Sequence, residues 1–353
     1  MLDILFASGN PHLPQVVGGV EINTHELACE LVHRGYRVGV LAKLSLRSLG
    51  GACRAAGAAM IGRNVVIDDR LGYPVFRARR PWEVLAQLPH AAVAIVQNGN
   101  MLDFAQAFGR RGVPSVAYFH GLAFESWAEE GAPRGCALPF CGYVANSRFT
   151  AARFRQLYGL DAVIVPPLFR RERYRTQTIA GSVSFINPVA AKGVELALEI
   201  AARCPEIPFC FVRGWPLSFA EERRLQAAIR RLGNIRLCRR AADMRTIYCH
   251  TRILLAPSPS ETWGRVVSEA QFSGIPAVTS DRGGLPEAVG PGGIVIGYDQ
   301  PAAIWAAAIR ELWSNDQLYR NLSRKALDYA ARADLNPDRQ VSLLIGALER
   351  CIA

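Results

Sequence analysis

The stretch Leu254–Gly293, LLAPSPSETWGRVVSEAQFSGIPAVTSDRGGLPEAVGPGG, decides how the chain is read. The apolar run Ile253–Ala256 has the look of a buried strand. A polar loop follows, Pro257 to Glu261. Helical spacing then runs from Arg265 to Ser273, where Gly274 and Pro276 stop it. Ala277–Ser280 is the next strand, and Asp281-Arg-Gly-Gly-Leu-Pro-Glu287 turns sharply into a further element. Strand, loop, helix, strand is the unit with which an α/β fold places ligands at the carboxyl end of a parallel sheet. Glu261 lies in the loop and Glu269 inside the helix. Eight helical residues amount to about two turns plus roughly 80°, so the two carboxylates cannot touch but can address two ends of one extended ligand. Between them a helix N-terminus offers free N–H groups and partial positive charge, which suits a phosphate.

This pattern resembles a family signature. Glu261 and Glu269 with seven residues between, Gly264 inside and Gly274-x-Pro276 after, is similar to the motif of retaining nucleotide-sugar glycosyltransferases of the GT-B fold, above all family 4. The resemblance implies two doubly wound Rossmann-like α/β domains facing a cleft. It also implies glycosyl transfer from a nucleotide-diphosphate sugar with retention at the anomeric carbon.

Composition agrees with a two-domain globular enzyme. The 353 residues exceed one typical domain, and half are hydrophobic. No run of eighteen apolar residues suggests a membrane span. The start, MLDILFASGN, goes straight into a strand and lacks the pattern of a signal peptide, which argues for a cytoplasmic protein. Nine cysteines are scattered without a C-x-x-C, Cys136 and Cys141 being the closest pair; they read as reduced thiols rather than a zinc site. The net charge of +11 comes with dispersed arginine pairs, among them Arg223-Arg224, Arg230-Arg231 and Arg239-Arg240. No nucleic-acid motif accompanies them, so nucleic acid is not an expected partner. Attraction to anionic lipid headgroups or a phosphorylated substrate is the better functional reading, with peripheral contact at an inner membrane surface. A merely soluble, arginine-rich surface accounts for the charge equally well.

Along the chain, strand and helix alternate twice. Asp3–Ala7 is a strand, Ser8–Gly19 a loop, Val20–Arg34 a helix. Gly18-Gly19 before that helix permits close backbone approach to a phosphate or sugar. By resemblance, GGVE (Gly18–Glu21) is the family's glycine loop at the cleft. Ser45 to Arg80 carries little pattern, and Asp68-Asp69 reads as a solvated turn. No D-x-D occurs, so metal-independent chemistry is expected, with no cofactor. Ser115–Phe119 delivers His120 at a carboxyl end, where open parallel sheets bind ligands. YFHGL resembles the family's histidine segment, which implies contact with the transferred sugar. Asn146 and Ser147 read as caps of a helix over Arg148–Tyr158. Arg170 to Arg175 reads as a linker after Pro166-Pro167.

The second half restarts at Val183. Lys192-Gly193 resembles the family's phosphate lysine. The usual arginine five residues earlier is replaced by Asn187, which adds no charge; Arg213 or Arg265 could supply a second cation. The expected domains are 1–167, binding acceptor; 176–330, binding the nucleotide sugar; and a helix, 336–353, packing back on the first. By resemblance, Glu261 and His120 act at the reaction centre. Lys192 and the backbone at Trp263, Gly264 and Arg265 hold the diphosphate, and Glu269 takes the ribose diol. The acceptor is a glycan, a lipid-linked molecule or a small molecule. Three other readings share parts of this pattern: a GT-B sugar-nucleotide epimerase, a non-catalytic nucleotide-sugar or glycan-binding protein, and a basic nucleic-acid or membrane-binding module.

Overall fold

The computed structural model describes residues 1–45, 64–129 and 138–352, and the chain divides into two α/β units. Unit 1 comprises Met1–Leu168 with Pro337–Ala353, and unit 2 comprises Phe169–Asn336.

Unit 1 is built on an eight-stranded sheet. Its elements in order are β1 (Leu2–Ala7), α1 (Gly19–His33), β2 (Val38–Lys43), β3 (Val66–Asp68), β4 (Val75–Ala78), β5 (Ala91–Val96), α2 (Met101–Gly109), β6 (Ser115–Phe119), α3 (Phe124–Glu129), β7 (Gly142–Ala145), α4 (Arg148–Tyr158) and β8 (Val163–Ile164). The strand order is β3-β4-β2-β1-β5-β6-β7-β8. All pairings are parallel except β3 with β4. Strands such as AAVAIV in β5 are apolar nearly throughout because helices cover both faces of a parallel sheet. The helices are closed by local chemistry. Ser147 Oγ accepts from Thr150 N–H at 3.0 Å to start α4, and Gly159, at φ +71°, ends it.

Unit 2 holds a six-stranded, all-parallel sheet: β9 (Ser182–Ile186), β10 (Phe209–Val212), β11 (Ile235–Cys238), β12 (Thr251–Ala256), β13 (Ala277–Ser280) and β14 (Gly293–Ile296), ordered β11-β10-β9-β12-β13-β14. Its helices are α5 (Val194–Arg203), α6 (Phe219–Leu232), α7 (Arg245–Tyr248), α8 (Arg265–Gln271), α9 (Leu285–Val289), α10 (Ala302–Ser314) and α11 (Asp316–Ala330). The chain then returns to unit 1 as α12 (Pro337–Ile352). Val341, Leu344, Ala347 and Leu348 of α12 enter the core with Ile95, Val116 and Val144. Gln340 Nε2 donates to the carbonyls of Pro166 and Pro167 at 3.2 Å.

Two stretches differ from their sequence reading. Asp68 is not a solvated turn residue: it ends β3, is buried, and receives Arg70 at 2.7 Å with Arg77 at 3.7 Å. The two guanidiniums hold its carboxyl well below the usual carboxylate range, Arg70 most strongly. The stretch expected as a linker begins unit 2 instead, because Phe169 and Tyr174 pack on Phe272, with ring centroids 5.8 and 6.4 Å away. The part of the unreadable Ser45–Arg80 region between 46 and 63 lies outside the described residues.

Candidate active site

In an open parallel sheet the ligand crevice forms where strand order reverses, because loops leave neighbouring strands in opposite directions. Unit 2 reverses between β9 and β12; Asn187 and Lys192 follow β9, Glu261, Trp263 and Gly264 follow β12 and lead into α8 with Arg265 and Glu269, and Arg213 follows the neighbouring β10. The two loops touch. Gly193, at φ +80°, lies so close to the Pro257 carbonyl that an added Cβ would fall 2.0 Å from its oxygen. This contact brings the Lys192 ammonium onto the Glu261 carboxylate as an ion pair. The ammonium also lies 5.3 Å above the centre of the Trp215 ring. Ser258 Oγ adds a longer bond of 3.4 Å to Glu261.

The Glu261 loop is held from behind. Gly284 N–H donates to the Glu261 carbonyl at 2.8 Å, and Ser280 Oγ donates to the Ser258 carbonyl at 2.6 Å. A Cβ on Gly283 would lie 1.8 Å from the Glu261 carbonyl oxygen, and one on Gly284 2.1 Å from that of Thr262. Gly283 also sits at φ +63°. The loop can therefore follow this path only against two glycines. Gly264, at φ +91°, turns the chain into α8. Trp263 is buried, its indole N–H donating to Ser268 Oγ of α8 at 3.1 Å.

Inside α8, Glu269 is buried. Its carboxylate accepts from Tyr248 O–H at 2.9 Å and lies 3.5 Å from the Arg265 guanidinium. Burial pushes its pKa up, while Arg265 and the Tyr248 hydrogen bond pull it down. Arg265 is itself spread over the Phe169 ring at 4.3 Å and bonded to Tyr174 O–H at 3.2 Å. The other two candidates are engaged locally. Arg213 forms a two-pronged ion pair with Glu222 of α6. Asn187, at φ +66°, accepts the Trp215 N–H on its side-chain oxygen at 2.7 Å and so ties the ends of β9 and β10 together. Their side chains support the loops, which leaves Lys192 as the candidate cation paired directly with Glu261.

Unit 1 reverses between β1 and β5. Gly9 N–H donates to the carbonyls of Asn98 and Gly99 at 3.0 and 3.2 Å, closing the loops of those strands on each other. His120 leaves β6 beside them. Its Nε2 pairs with Gln97 Oε1 at 2.9 Å, Gln97 Nε2 donates to Thr24 Oγ1 at 2.6 Å, and Thr24 donates to the Val20 carbonyl at 2.9 Å. The His120 ring is thereby tied to the first turn of α1, which Gly18 and Gly19 begin. The Gly18 carbonyl accepts from Ile22 N–H at 3.1 Å, making Gly18 the N-cap, with Gly19 the first helical residue. Glu21 in that turn is buried, which pushes its carboxyl up.

The contacts of Gln97, Thr24, Tyr248, Gly283 and Gly284 were missed by the sequence reading. Only the glycine pair left a mark there, as a turn; the rest depend on partners far along the chain. Among the described residues no group of three or more histidines, cysteines or carboxylates could hold a metal.

Residues 178–315 match the family model of Glycosyl transferases group 1, and residues 17–173 match that of Glycosyltransferase Family 4. The chain is 36% identical over 92 residues to the D-inositol 3-phosphate glycosyltransferase of Corynebacterium kroppenstedtii, a match covering 26% of this chain and 20% of that protein. To that of Nocardia farcinica it is 28% identical over 220 residues, 53% of this chain and 48% of the relative. The matched stretch thus spans about a fifth to a half of these curated relatives. Among solved structures, Anabaena Alr3699/HepE in complex with UDP-glucose superposes with a TM-score of 0.75 at 17% identity, covering 99% of this chain and 100% of that one. Sucrose-phosphate synthase from Thermosynechococcus elongatus gives 0.75 at 14% identity, with 99% and 98% covered. The glycosyltransferase from Rickettsia africae gives 0.73 at 14%, with 99% of each chain covered. The shared architecture is the GT-B fold.

Proposed function

Because this chain belongs to the group 1, family 4 glycosyltransferases, we propose that it transfers a sugar from a nucleotide-diphosphate donor to an acceptor hydroxyl with retention of anomeric configuration and without a metal ion. The observation that carries the proposal is the Lys192–Glu261 ion pair at the strand-order reversal of unit 2. As the glycosidic bond breaks, negative charge gathers on the leaving diphosphate, and prepositioned donors are worth most where that charge develops. The Lys192 ammonium is such a donor, and it can move from Glu261 to a phosphate oxygen by a small displacement. Glu261, released, accepts hydrogen bonds from sugar hydroxyls. The backbone N–H groups at Gly264 and Arg265 face the second phosphate. Glu269 takes the ribose diol by exchanging Tyr248 for it. His120, oriented by Gln97, contacts the transferred sugar.

The Anabaena structure contains UDP-glucose, so a uridine diphosphate sugar is the first donor to test. The curated relatives act on D-inositol 3-phosphate, so a polyol phosphate heads the acceptors, before lipid-linked and oligosaccharide ones. A cytoplasmic site of action goes with donors of this kind, and no helix among the described residues is long and apolar enough to cross a membrane.

The test is a thermal-unfolding screen with UDP, GDP, ADP and their sugar conjugates, followed by transfer assays with and without EDTA. One nucleotide should stabilise selectively, by about 2.7 kcal/mol at a hundredfold excess over its dissociation constant. Lys192→Ala should lower transfer by about two to three orders of magnitude. Unchanged transfer in Lys192→Ala and Glu261→Ala would overturn the assignment, and an inverted product anomer, read by NMR, would overturn retention.

A further inference from the structure

The basic residues are not evenly spread once folded. Between Arg213 and Arg240 the chain carries eight arginines and two glutamates, and no lysine or aspartate. Both glutamates are occupied: Glu222 by Arg213, and Glu221 by Ser218 in the capping box that starts α6. The segment therefore supplies more than half of the chain's formal charge of +11.

Helix geometry sorts it further. At about 100° per residue, Phe219, Ala220, Arg223, Arg224, Ala227, Arg230 and Arg231 fall within roughly 140° of the α6 circumference. Every one of them is exposed. Leu225, Ile229 and Leu232 point the other way, into unit 2. No acid lies within the outward stripe; Glu221 stands at its border. Arg230, Arg231, Arg239 and Arg240 form no ion pair among the described residues. At the N-terminal end of the stripe the Phe219 ring is 79% exposed, with the Arg223 guanidinium 5.7 Å from its centre. The helix packs against β11, which is the edge strand of its sheet, so the stripe lies along an outer border of unit 2.

We propose that this face of α6 is a docking surface for an anionic lipid bilayer. Four arginines on one helix face match a plane of anionic headgroups, whose potential attracts each basic residue near the surface. The Phe219 ring supplies what a purely ionic patch lacks. An aromatic side chain with a guanidinium beside it enters the headgroup region while its cation stays with the phosphates. A single-stranded nucleic acid is disfavoured by a helix face with one aromatic at its end, since single strands are held by aromatics interleaved with the basic groups.

The experiment is co-sedimentation of the full chain with phosphatidylcholine vesicles, neutral or containing phosphatidylglycerol, at rising sodium chloride. Binding to the anionic vesicles alone, weakened by salt, is expected. Arg230→Gln with Arg231→Gln should weaken it by at least about tenfold, since each surface arginine contributes a factor of roughly five. Phe219→Ser should weaken the binding that persists at high salt. Arg320→Gln with Arg324→Gln, exposed residues elsewhere in unit 2, should change little. Nucleotide-induced stabilisation should survive in every variant, which separates this surface from the donor site and excludes misfolding. Equal binding to neutral vesicles, no binding, an equal loss in the control pair, or displacement from vesicles by homopolymeric RNA would each overturn the proposal.

Discussion

The two units solve one topological problem with different chemistry. Each reverses strand order once and gathers its candidate residues at that point. In unit 1 the arrangement is a neutral relay, His120 to Gln97 to Thr24 to the Val20 carbonyl. In unit 2 it is two ion pairs, Lys192 with Glu261 and Arg265 with Glu269. A neutral relay fixes a ring and suits uncharged hydroxyl groups. Ion pairs can exchange a partner for a charged ligand, because each charge is already desolvated in part and needs only a new counter-ion. The contrast is what favours unit 2 as the half proposed to meet the diphosphate.

The comparison can be broken most severely at Glu269. Glu269→Ala should destabilise the protein by about 3–5 kcal/mol, since it leaves a buried guanidinium and the Tyr248 hydroxyl without their shared partner. Urea unfolding checks this; a loss under about 1 kcal/mol would mean the pair is not buried as described.

The second difference is the sign of the pH response. His12 in unit 1 is buried against Tyr73, 3.0 Å from its hydroxyl. Its pKa is pushed down to about 3, first by burial and then by Arg77 and His25. A base depressed in the fold takes up its proton in the unfolded chain first. Its contribution is complete above about pH 6.5 and is lost as pH falls toward 3, at up to about 1.4 kcal/mol per unit. Glu269, an acid raised by burial, does the opposite: its cost is absent at low pH, and stability falls as pH rises through its elevated pKa. Denaturation midpoints of His12→Asn should therefore depend less on acid, and those of Glu269→Gln less on base. Parallel profiles for wild type and both variants would remove the distinction.

The smallest effect is expected at the relay. Gln97→Ala frees the His120 ring and should lower turnover by about five- to tenfold, near 1 kcal/mol, with nucleotide-induced stabilisation unchanged. A weakened nucleotide response in that variant would place Gln97 in donor binding and blur the two halves.

Local chemistry made much of the fold readable before any coordinates. Ser147 caps α4 as its sequence predicts, over the expected span Arg148–Tyr158. The strands were legible because a sheet covered on both faces needs unbroken apolar runs. Asp68 was misread because what buries it is the pairing of β3 with β4, which brings Arg77 in beside the local partner Arg70 and leaves no periodic signature in the sequence. Of the candidate residues, the positions of Glu261, Lys192 and His120 at strand ends were readable; their hydrogen-bond partners were not. Nothing in the sequence tells that Gly283 and Gly284 press on the carbonyls of Glu261 and Thr262, because that contact joins two turns through space.

The helix α12 has a consequence for how the protein comes into being. Its residues complete the core of unit 1 alongside Ile95, Val116 and Val144, yet they are synthesised after all of unit 2. On the ribosome, the half of the chain made second has all its core elements before the half made first does. The half made first waits, with part of one apolar face uncovered over β5 to β8, until α12 emerges. A fragment ending at Leu168 would carry all eight strands but keep that exposed patch permanently, whereas Phe169–Asn336 expressed alone carries both the strands and the helices of its unit.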